Sequence, residues 1–466
     1  MTTTIEFLPK SFAARFGGAQ SETIDEGQMV ALMAHLSGAA QALQGIEVAA
    51  IAACLGSAAA RLLSDGDPLR ETALQQLPAE ASFSPQQARW VIDSMARDWT
   101  PAALQRLLEA EFADARALDT FVPAPLEQAP DRAVRGMPLG VAHGVGVHIC
   151  SGTVPGVGVT SMLRGLLTKA PVLLKPGAGD RVLPRLVARA LGEAAAVDPV
   201  ADTICEALAV LFWPGGAGGL VESEALATAG YVVVYGADAT VSAIQKRIPA
   251  TLPLVAYPHR VGIAVVSAQG DPSATASALA RAVAAYEQRG CVSPQQTFVL
   301  GDVETARVLA EATAHALDQL ADELPAASPD PEIAAAVQQR RATVEMRHAL
   351  GESVELWASS AVQWTVVLDA RPQFTASCLG RTLTITPVTD VEALDRALQG
   401  VEGRLQSVGV DGFDRATERS VAEIVSRHGA SRVGPLETMA FPAPGWIHDG
   451  QGGLPRLVRW SALAGP

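Results

Sequence analysis

Positive charge is scarce in this sequence: 35 Lys+Arg stand against 49 Asp+Glu in 466 residues, a formal net charge of −14. A nucleic-acid binder carries a basic patch or stripe, so that class is set aside. Long uninterrupted apolar runs are also missing. The richest stretch, Val30 to Ala60, is broken by His35, Gln41, Gln44 and Glu47, and it reads as an Ala-rich helical hairpin of a soluble protein, because a membrane span needs roughly 18 or more apolar residues. The start, Met1-Thr2-Thr3-Thr4-Ile5-Glu6-Phe7, lacks the positive flank and apolar core of a secretory signal, so the expected location is cytoplasmic. Cysteines are few, odd in number and far apart: Cys54, Cys150, Cys205, Cys291 and Cys378 contain no C-x-x-C pair. That excludes a disulfide framework and gives no zinc site, leaving free thiols. Neither G-x-G-x-x-G after the first strand nor G-x-x-x-x-G-K-[ST] is present, so both standard phosphate-loop fingerprints are lacking.

What is there is length and apolar content. At roughly 150 residues per domain the chain holds two or three domains, and 49% hydrophobic residues can fill their cores. Residues 1–125 read as a mainly helical N-terminal region rich in Ala, Leu, Gln and Glu, with a helix start at Ser84-Pro85-Gln86-Gln87. After the loop Val122-Pro123-Ala124-Pro125 the texture changes. Short apolar runs such as Gly146–Cys150, Pro171–Lys175, Ala207–Phe212 and Tyr231–Tyr235 alternate with helical segments and do not alternate polar with apolar. This is the pattern of a parallel sheet covered on both faces, a doubly wound α/β domain expected over 126–258. A second α/β series starts near Val261 and fills 259–440, with a loop at Ala327-Ser328-Pro329-Asp330-Pro331 between two long helices. Residues 441–466, rich in Gly and Pro, read as a C-terminal arm.

Two glycine-rich turns, Gly177-Ala178-Gly179 and Gly215-Gly216-Ala217-Gly218-Gly219, each follow an expected strand and precede a helix, where α/β sheets bind ligands. Among the thiols, Cys291 has the informative setting, Glu287-Gln288-Arg289-Gly290-Cys291-Val292-Ser293-Pro294-Gln295. It follows a helix, so its sulfur is expected at a backbone turn where amides and the Arg289 cation favour the thiolate. Gly290 lets a substrate reach the Cys291 amide, a natural oxyanion donor.

The runs Val147-His148-Ile149-Cys150-Ser151-Gly152-Thr153-Val154-Pro155-Gly156, Leu173-Leu174-Lys175-Pro176, Gln288–Gln295, His448-Asp449-Gly450 and Leu457-Val458-Arg459-Trp460, in that order, resemble the LuxC-type fatty-acyl-CoA reductases, a branch of the aldehyde dehydrogenase superfamily. The resemblance spans roughly residues 120 to 460. It implies an aldehyde-dehydrogenase-like fold: a doubly wound cofactor domain plus an α/β catalytic domain carrying the cysteine nucleophile. It also implies a homo-oligomer that reduces acyl-CoA or an acyl-carrier-protein thioester to the aldehyde, with an acyltransferase or synthetase as a partner. On the matching positions, Cys291 is the nucleophile. Lys175, with Pro176 and Gly177 after it, contacts the adenine ribose, while Gly215, Gly216, Gly236 and Ala237 lie at the nucleotide turns. NAD-preferring relatives tend to carry a glutamate where this chain has Gly177 and Ala178, so the resemblance implies NADPH (NADP).

Two departures from that pattern stand out. The general-base glutamate of aldehyde-oxidising members falls in a segment that here reads Ala256-Tyr257-Pro258-His259-Arg260; that base activates the water that hydrolyses an acyl-enzyme, so its loss favours reduction over oxidation. Thr153 stands where asparagine usually donates to the oxyanion, and loss of one such donor costs on the order of 10²–10³ in rate. His259 near the missing base is a candidate proton shuttle or a structural hydrogen-bonding residue. Glu287, one helical turn before Cys291, is a candidate for assisting proton transfer. His148, on an apolar strand, reads as a satisfied core histidine. Acyl transfer or thioester hydrolysis through Cys291, and a catalytically idle scaffold, are the rival readings.

Overall fold

The computed structural model describes residues 3–15, 22–123, 137–216, 219–328, 330–401 and 403–463; Met1, Thr2, Ala124, Pro125, Ala217, Gly218 and Pro329, named above, lie outside them. The strands are β1 (Thr3–Phe7), β2 (Thr23–Ile24), β3 (Met137–Ala142), β4 (Gly146–Ile149), β5 (Val172–Lys175), β6 (Leu208–Phe212), β7 (Tyr231–Tyr235), β8 (Leu254–Tyr257), β9 (Val261–Ser267), β10 (Pro294–Leu300), β11 (Val354–Ala358), β12 (Thr365–Asp369), β13 (Thr382–Val388), β14 (Leu405–Asp411), β15 (Arg432–Pro435) and β16 (Val458–Leu463).

Apolar runs of four or five residues, too short for helices, become strands buried on both faces: every residue of β4 and β5 is buried. The first sheet has the order β2-β1-β6-β5-β4-β7-β8. Its members from β4 to β8 are mutually parallel, so the chain winds outward from β4 in both directions and the reversal of winding falls beside β4. The second sheet has the order β11-β12-β13-β10-β9-β14-β15. It is parallel except for β11 at its edge. The aldehyde-dehydrogenase-like α/β architecture expected from the sequence is the one observed.

The N-terminal region adds helices and two unexpected strands. Ser84 Oγ accepts from the Gln87 amide at 3.2 Å and Pro85 opens the helix Pro85–Arg97, the cap expected from that run. Helices Glu26–Gln44 and Val48–Ala60 meet at a 117° bend. Their Met29, Leu32 and Leu36, and Ile51 and Leu55, are fully buried inside the protein, each such aliphatic side chain contributing roughly 1.5–3 kcal/mol by leaving water. No single helix among the described residues is long and apolar enough to cross a membrane; this bent pair passes by length and composition only. β1, absent from the helical reading of this region, adds antiparallel to β6, with the two-residue β2 beyond it at the sheet edge; five residues and two residues leave too short a pattern to read. In the C-terminal arm, β16 pairs antiparallel with β3 over six residues, Val458 opposite Ala142 to Leu463 opposite Met137.

Candidate active site

Cys291 is delivered by a strained loop. The helix Pro272–Ala284 ends, and Tyr286, Glu287 and Gln288 follow at φ 55°, 52° and 62°. Three consecutive non-glycine residues in the left-handed region cost about 1–2 kcal/mol each, so the surroundings must hold them. Gln288, fully buried, donates through Nε2 to the carbonyls of Pro294 and Thr382, both at 2.9 Å, and its Oε1 accepts from the Thr382 amide at 2.9 Å. Arg381, 2% exposed, donates to both Glu287 oxygens at 2.7 and 3.1 Å, to the Leu324 carbonyl at 2.8 Å and to Gln87 Oε1 at 2.9 Å. Gly262 of β9 lies beneath the loop. A Cβ there would meet the Ser293 carbonyl oxygen at 2.8 Å and the Cys291 carbonyl oxygen at 3.1 Å.

This geometry corrects two expectations. Glu287 is not one helical turn from Cys291, because the helix has ended; its carboxylate is engaged by Arg381. Arg289 is not beside the thiol either: it donates to the carbonyls of Ala81 at 2.6 Å and Tyr286 at 3.1 Å, and lies over the Phe83 ring. Glu287 and Arg289 line a different cavity from Cys291, with Ser82, Ser328 and Glu332.

Cys291 opens onto a cavity of about 140 Å³ with mainly apolar walls, the kind of lining that accepts apolar ligand groups. Met95 and Trp99 come from the N-terminal region, Leu163 from the helix Val157–Leu167, and Phe441, Trp446 and His448 from the C-terminal arm. The Trp99 ring N–H donates to Thr160 Oγ1 at 3.0 Å, which fixes its indole. His448 stacks between Tyr257 and Trp446, with centroids 4.5 and 4.6 Å away. Burial, then nearby Arg164, pushes its pKa down to about 3, so it is neutral at physiological pH. Asp98 is also on the wall, and burial pushes it up to about 6 against the pull of Arg106 and Arg164.

The thiol itself is not activated in this state. Cys291 keeps partial exposure, and burial, then the Asp449 carboxylate, pushes its thiol up to about 12. The amides of Cys291 and Val292 and the side chain of Gln406 pull the other way. The expected cation is missing because Arg289 points elsewhere.

Thr153 and His259 are not brought to this cavity. Thr153 is exposed, with its hydroxyl 3.0 Å from Ser151 Oγ, and its neighbour Val154 lines the cavity instead. His259 is exposed at the end of β8, where its amide donates to Asp238 at 3.2 Å. His148 is fully buried between Ser161 Oγ at 2.7 Å and the Tyr231 hydroxyl at 3.0 Å, the satisfied core histidine the strand pattern indicated. Residues that sequence reasoning passed over are Trp99, Tyr286 and Gln406, which carry no motif, and Arg260 and Asp449, which were noticed only as parts of runs.

The residues expected at the nucleotide gather on one edge of the first sheet. Lys175 ends β5 with Pro176 and Gly177 after it, Gly215 and Gly216 follow β6, and Gly236 and Ala237 follow β7. All lie at the carboxyl ends of parallel strands, where α/β sheets bind dinucleotides. Among the described residues Lys175 has no carboxylate within 4.0 Å; burial lowers its pKa, opposed by Glu222 and Cys150. A Cβ at Gly215 or Gly216 would meet nothing within 4 Å, so the turn is open to a ligand. Gly177 has a different reason to be glycine: a Cβ there would lie 2.1 Å from the Gly152 nitrogen, so its bare face is taken by the neighbouring loop. A buried cation beside an open glycine turn on this edge fits a nicotinamide dinucleotide.

Comparison with known proteins bears on the fold and the family. A long-chain acyl-protein thioester reductase of Aliivibrio fischeri is 22% identical over 395 residues, covering 84% of this chain and 77% of its own. Among solved structures, proline utilization A of Bradyrhizobium japonicum superposes with a TM-score of 0.70 at 18% identity over 94% of this chain, which spans 45% of that longer protein. A putative aldehyde dehydrogenase of Anabaena variabilis gives 0.68 at 15% identity, covering 99% of this chain and 97% of its own. At these identities the structures speak for the fold alone. Residues 43–460 match the family described as acyl-CoA reductase (LuxC), and this chain belongs to that family.

Proposed function

We propose that the protein reduces an acyl thioester, carried on CoA or on a protein, to the aldehyde with NADPH through an acyl group held on Cys291. The observation that carries this reading is the Cys291 thiol opening onto an apolar-walled cavity, and the pull of the Cys291 and Val292 backbone amides on its pKa is consistent with it. Family membership and the acyl-protein thioester reductase relatives support it.

The Cys291 sulfur attacks the thioester carbonyl as its proton leaves with the departing thiol, so one C–S bond forms and one breaks. The two amides face the oxyanion of the tetrahedral intermediate. When bound, NADPH supplies the hydride that reduces the enzyme thioester. The hemithioacetal then loses aldehyde as the C–S pair returns to sulfur, which takes up a proton. The walls formed by Trp99, Tyr286, Phe441 and Trp446 exclude water, so the acyl group waits for reduction instead of hydrolysing. Lys175 and the turns at Gly215 and Gly236 hold the dinucleotide.

The test is steady-state turnover with acyl-CoA and acyl-carrier protein. The expected result is aldehyde, free thiol and NADP in equal amounts; thiol released without aldehyde establishes transfer or hydrolysis instead. The cofactor assignment has its own variant. Ala178 is exposed, and Ala178→Glu places a carboxylate where a 2′-phosphate is expected. It should lower kcat/KM for NADPH by about 10-fold or more relative to NADH; an unchanged ratio contradicts the NADPH reading.

A further inference from the structure

We propose that the Gln406 side-chain amide is a catalytic group that hydrogen-bonds the Cys291 sulfur, and that Asp449 is its positioning residue. This rests on the reading of Cys291 as the acyl-bearing nucleophile. The backbone makes the first argument. Leu405 pairs with Val261 and Val408 with Ile263, so Gln406 and Ser407 together oppose Gly262 alone. On the other side of β9, Pro294 pairs with Gly262 and Thr297 with Ala264, leaving Gln295 and Gln296 opposite Ile263. β9 is therefore flanked by two bulges, one at Gly262, which lies under Cys291, and one at the next residue, Ile263. Bulges re-aim side chains and recur beside active sites.

Satisfaction of polar groups makes the second. Gln406 is 1% exposed on an interior strand, where a buried amide is costly unless bonded. Its Nε2 donates to Asp449 Oδ1. Asp449 sits at φ 53° with its side chain fully buried, and Arg260 Nε lies 4.0 Å from Oδ2. Gln406 Oε1, Asp449 Oδ2 and Arg260 Nε all lack hydrogen-bond partners. Among the described residues ten buried side-chain atoms are in that state, and three of them gather in this one cluster. Unsatisfied groups concentrated beside a nucleophile mark chemistry in preference to stability.

The two groups act on the sulfur in opposite directions. Gln406 stabilises the thiolate that leaves the hemithioacetal, while the Asp449 carboxylate opposes a second negative charge and keeps the resting thiol protonated. Burial in turn raises Asp449 to about 6, with Arg260 and Gln406 pulling it down. The other titratable and charged groups around the pair are Asp98, Arg164, Tyr257, Tyr286 and His448.

The experiment is the rate of iodoacetamide alkylation of Cys291 in the full chain between pH 7.5 and 9.5, read by peptide mass, where rate follows the small thiolate fraction. Gln406→Met, close in volume but without a donor, should slow alkylation roughly 10-fold at fixed pH. Asp449→Asn, which still accepts from Gln406, should speed it by about the same factor. Loosened packing would expose the sulfur and speed both, so shifts in one direction, or none, overturn the proposal. Acylation of wild-type Cys291 by acyl-CoA is followed in parallel. If no adduct forms while the alkylation shifts oppose, the nucleophile reading fails and the pairing stands; if the adduct forms and the shifts agree in sign, only the pairing fails.

Discussion

Replacing Cys291 with alanine is expected to lower aldehyde formation by about 10⁴-fold or more, with the melting temperature little changed. The magnitude follows from losing the covalent route altogether, since neither the amides nor the cavity can carry an acyl group. Thiol acidity is not what singles out this residue. Burial raises Cys54 and Cys205 to about 12 as well, and pushes Cys150 upward. The difference is position. Of the five cysteines, Cys291 is the one that lines the apolar-walled cavity, while Cys54 lines a separate cleft with Ala50, Arg61 and Asp198. Aldehyde yield per NADPH consumed measures the effect, and turnover of Cys291→Ala within 10-fold of wild type would contradict it.

The second large effect is predicted away from the chemistry. Arg381→Ala removes the hydrogen bonds that tie Glu287, the Leu324 carbonyl and Gln87 together, and it leaves the Glu287 carboxylate, 13% exposed, without its partner. Breaking a buried pair from one side costs about 3–5 kcal/mol. Because Arg381 also holds the left-handed Tyr286–Gln288 segment, Cys291 should lose its place at the cavity before the rest of the fold fails. The expected result is a lower urea midpoint together with a fall in acylation rate larger than the change in NADPH affinity. Arg381→Lys, which restores charge but not the planar fork, should fall between the two. An unchanged midpoint would mean that the pair is not what holds the loop.

The architecture was legible because its signals are local. The apolar runs at Val147–Ile149, Val172–Leu174 and Tyr231–Tyr235 can only be buried strands, and Ser84-Pro85 announces its helix. The order of the runs around Cys291 and Lys175 also pointed to the family now shown. What failed were inferences from short sequence distance. Glu287 and Arg289 lie within four residues of Cys291, yet three left-handed residues turn them to the far side of the loop, and nothing in Ala-Tyr-Glu-Gln-Arg-Gly departs from a helical composition. Their actual partners are remote: Arg381 is 94 residues from Glu287, and Ala81 is 208 residues from Arg289. Gln406 sits in a run, Leu-Gln-Ser-Val-Gly-Val, that reads as an ordinary strand; the bulge that aims it depends on the register against β9, which no single-sequence pattern contains. The cavity is hardest of all to read, since its walls come from the N-terminal helices, both α/β units and the C-terminal arm.

Acylation of Cys291 is the step on which every other assignment depends. Protein exposed to an acyl-CoA without NADPH, then analysed by intact mass and peptide mapping, should gain one acyl mass on the Cys291 peptide, and that mass should disappear, with aldehyde released, when NADPH is added. An acyl group that never forms, that maps to another residue, or that persists after NADPH would contradict it.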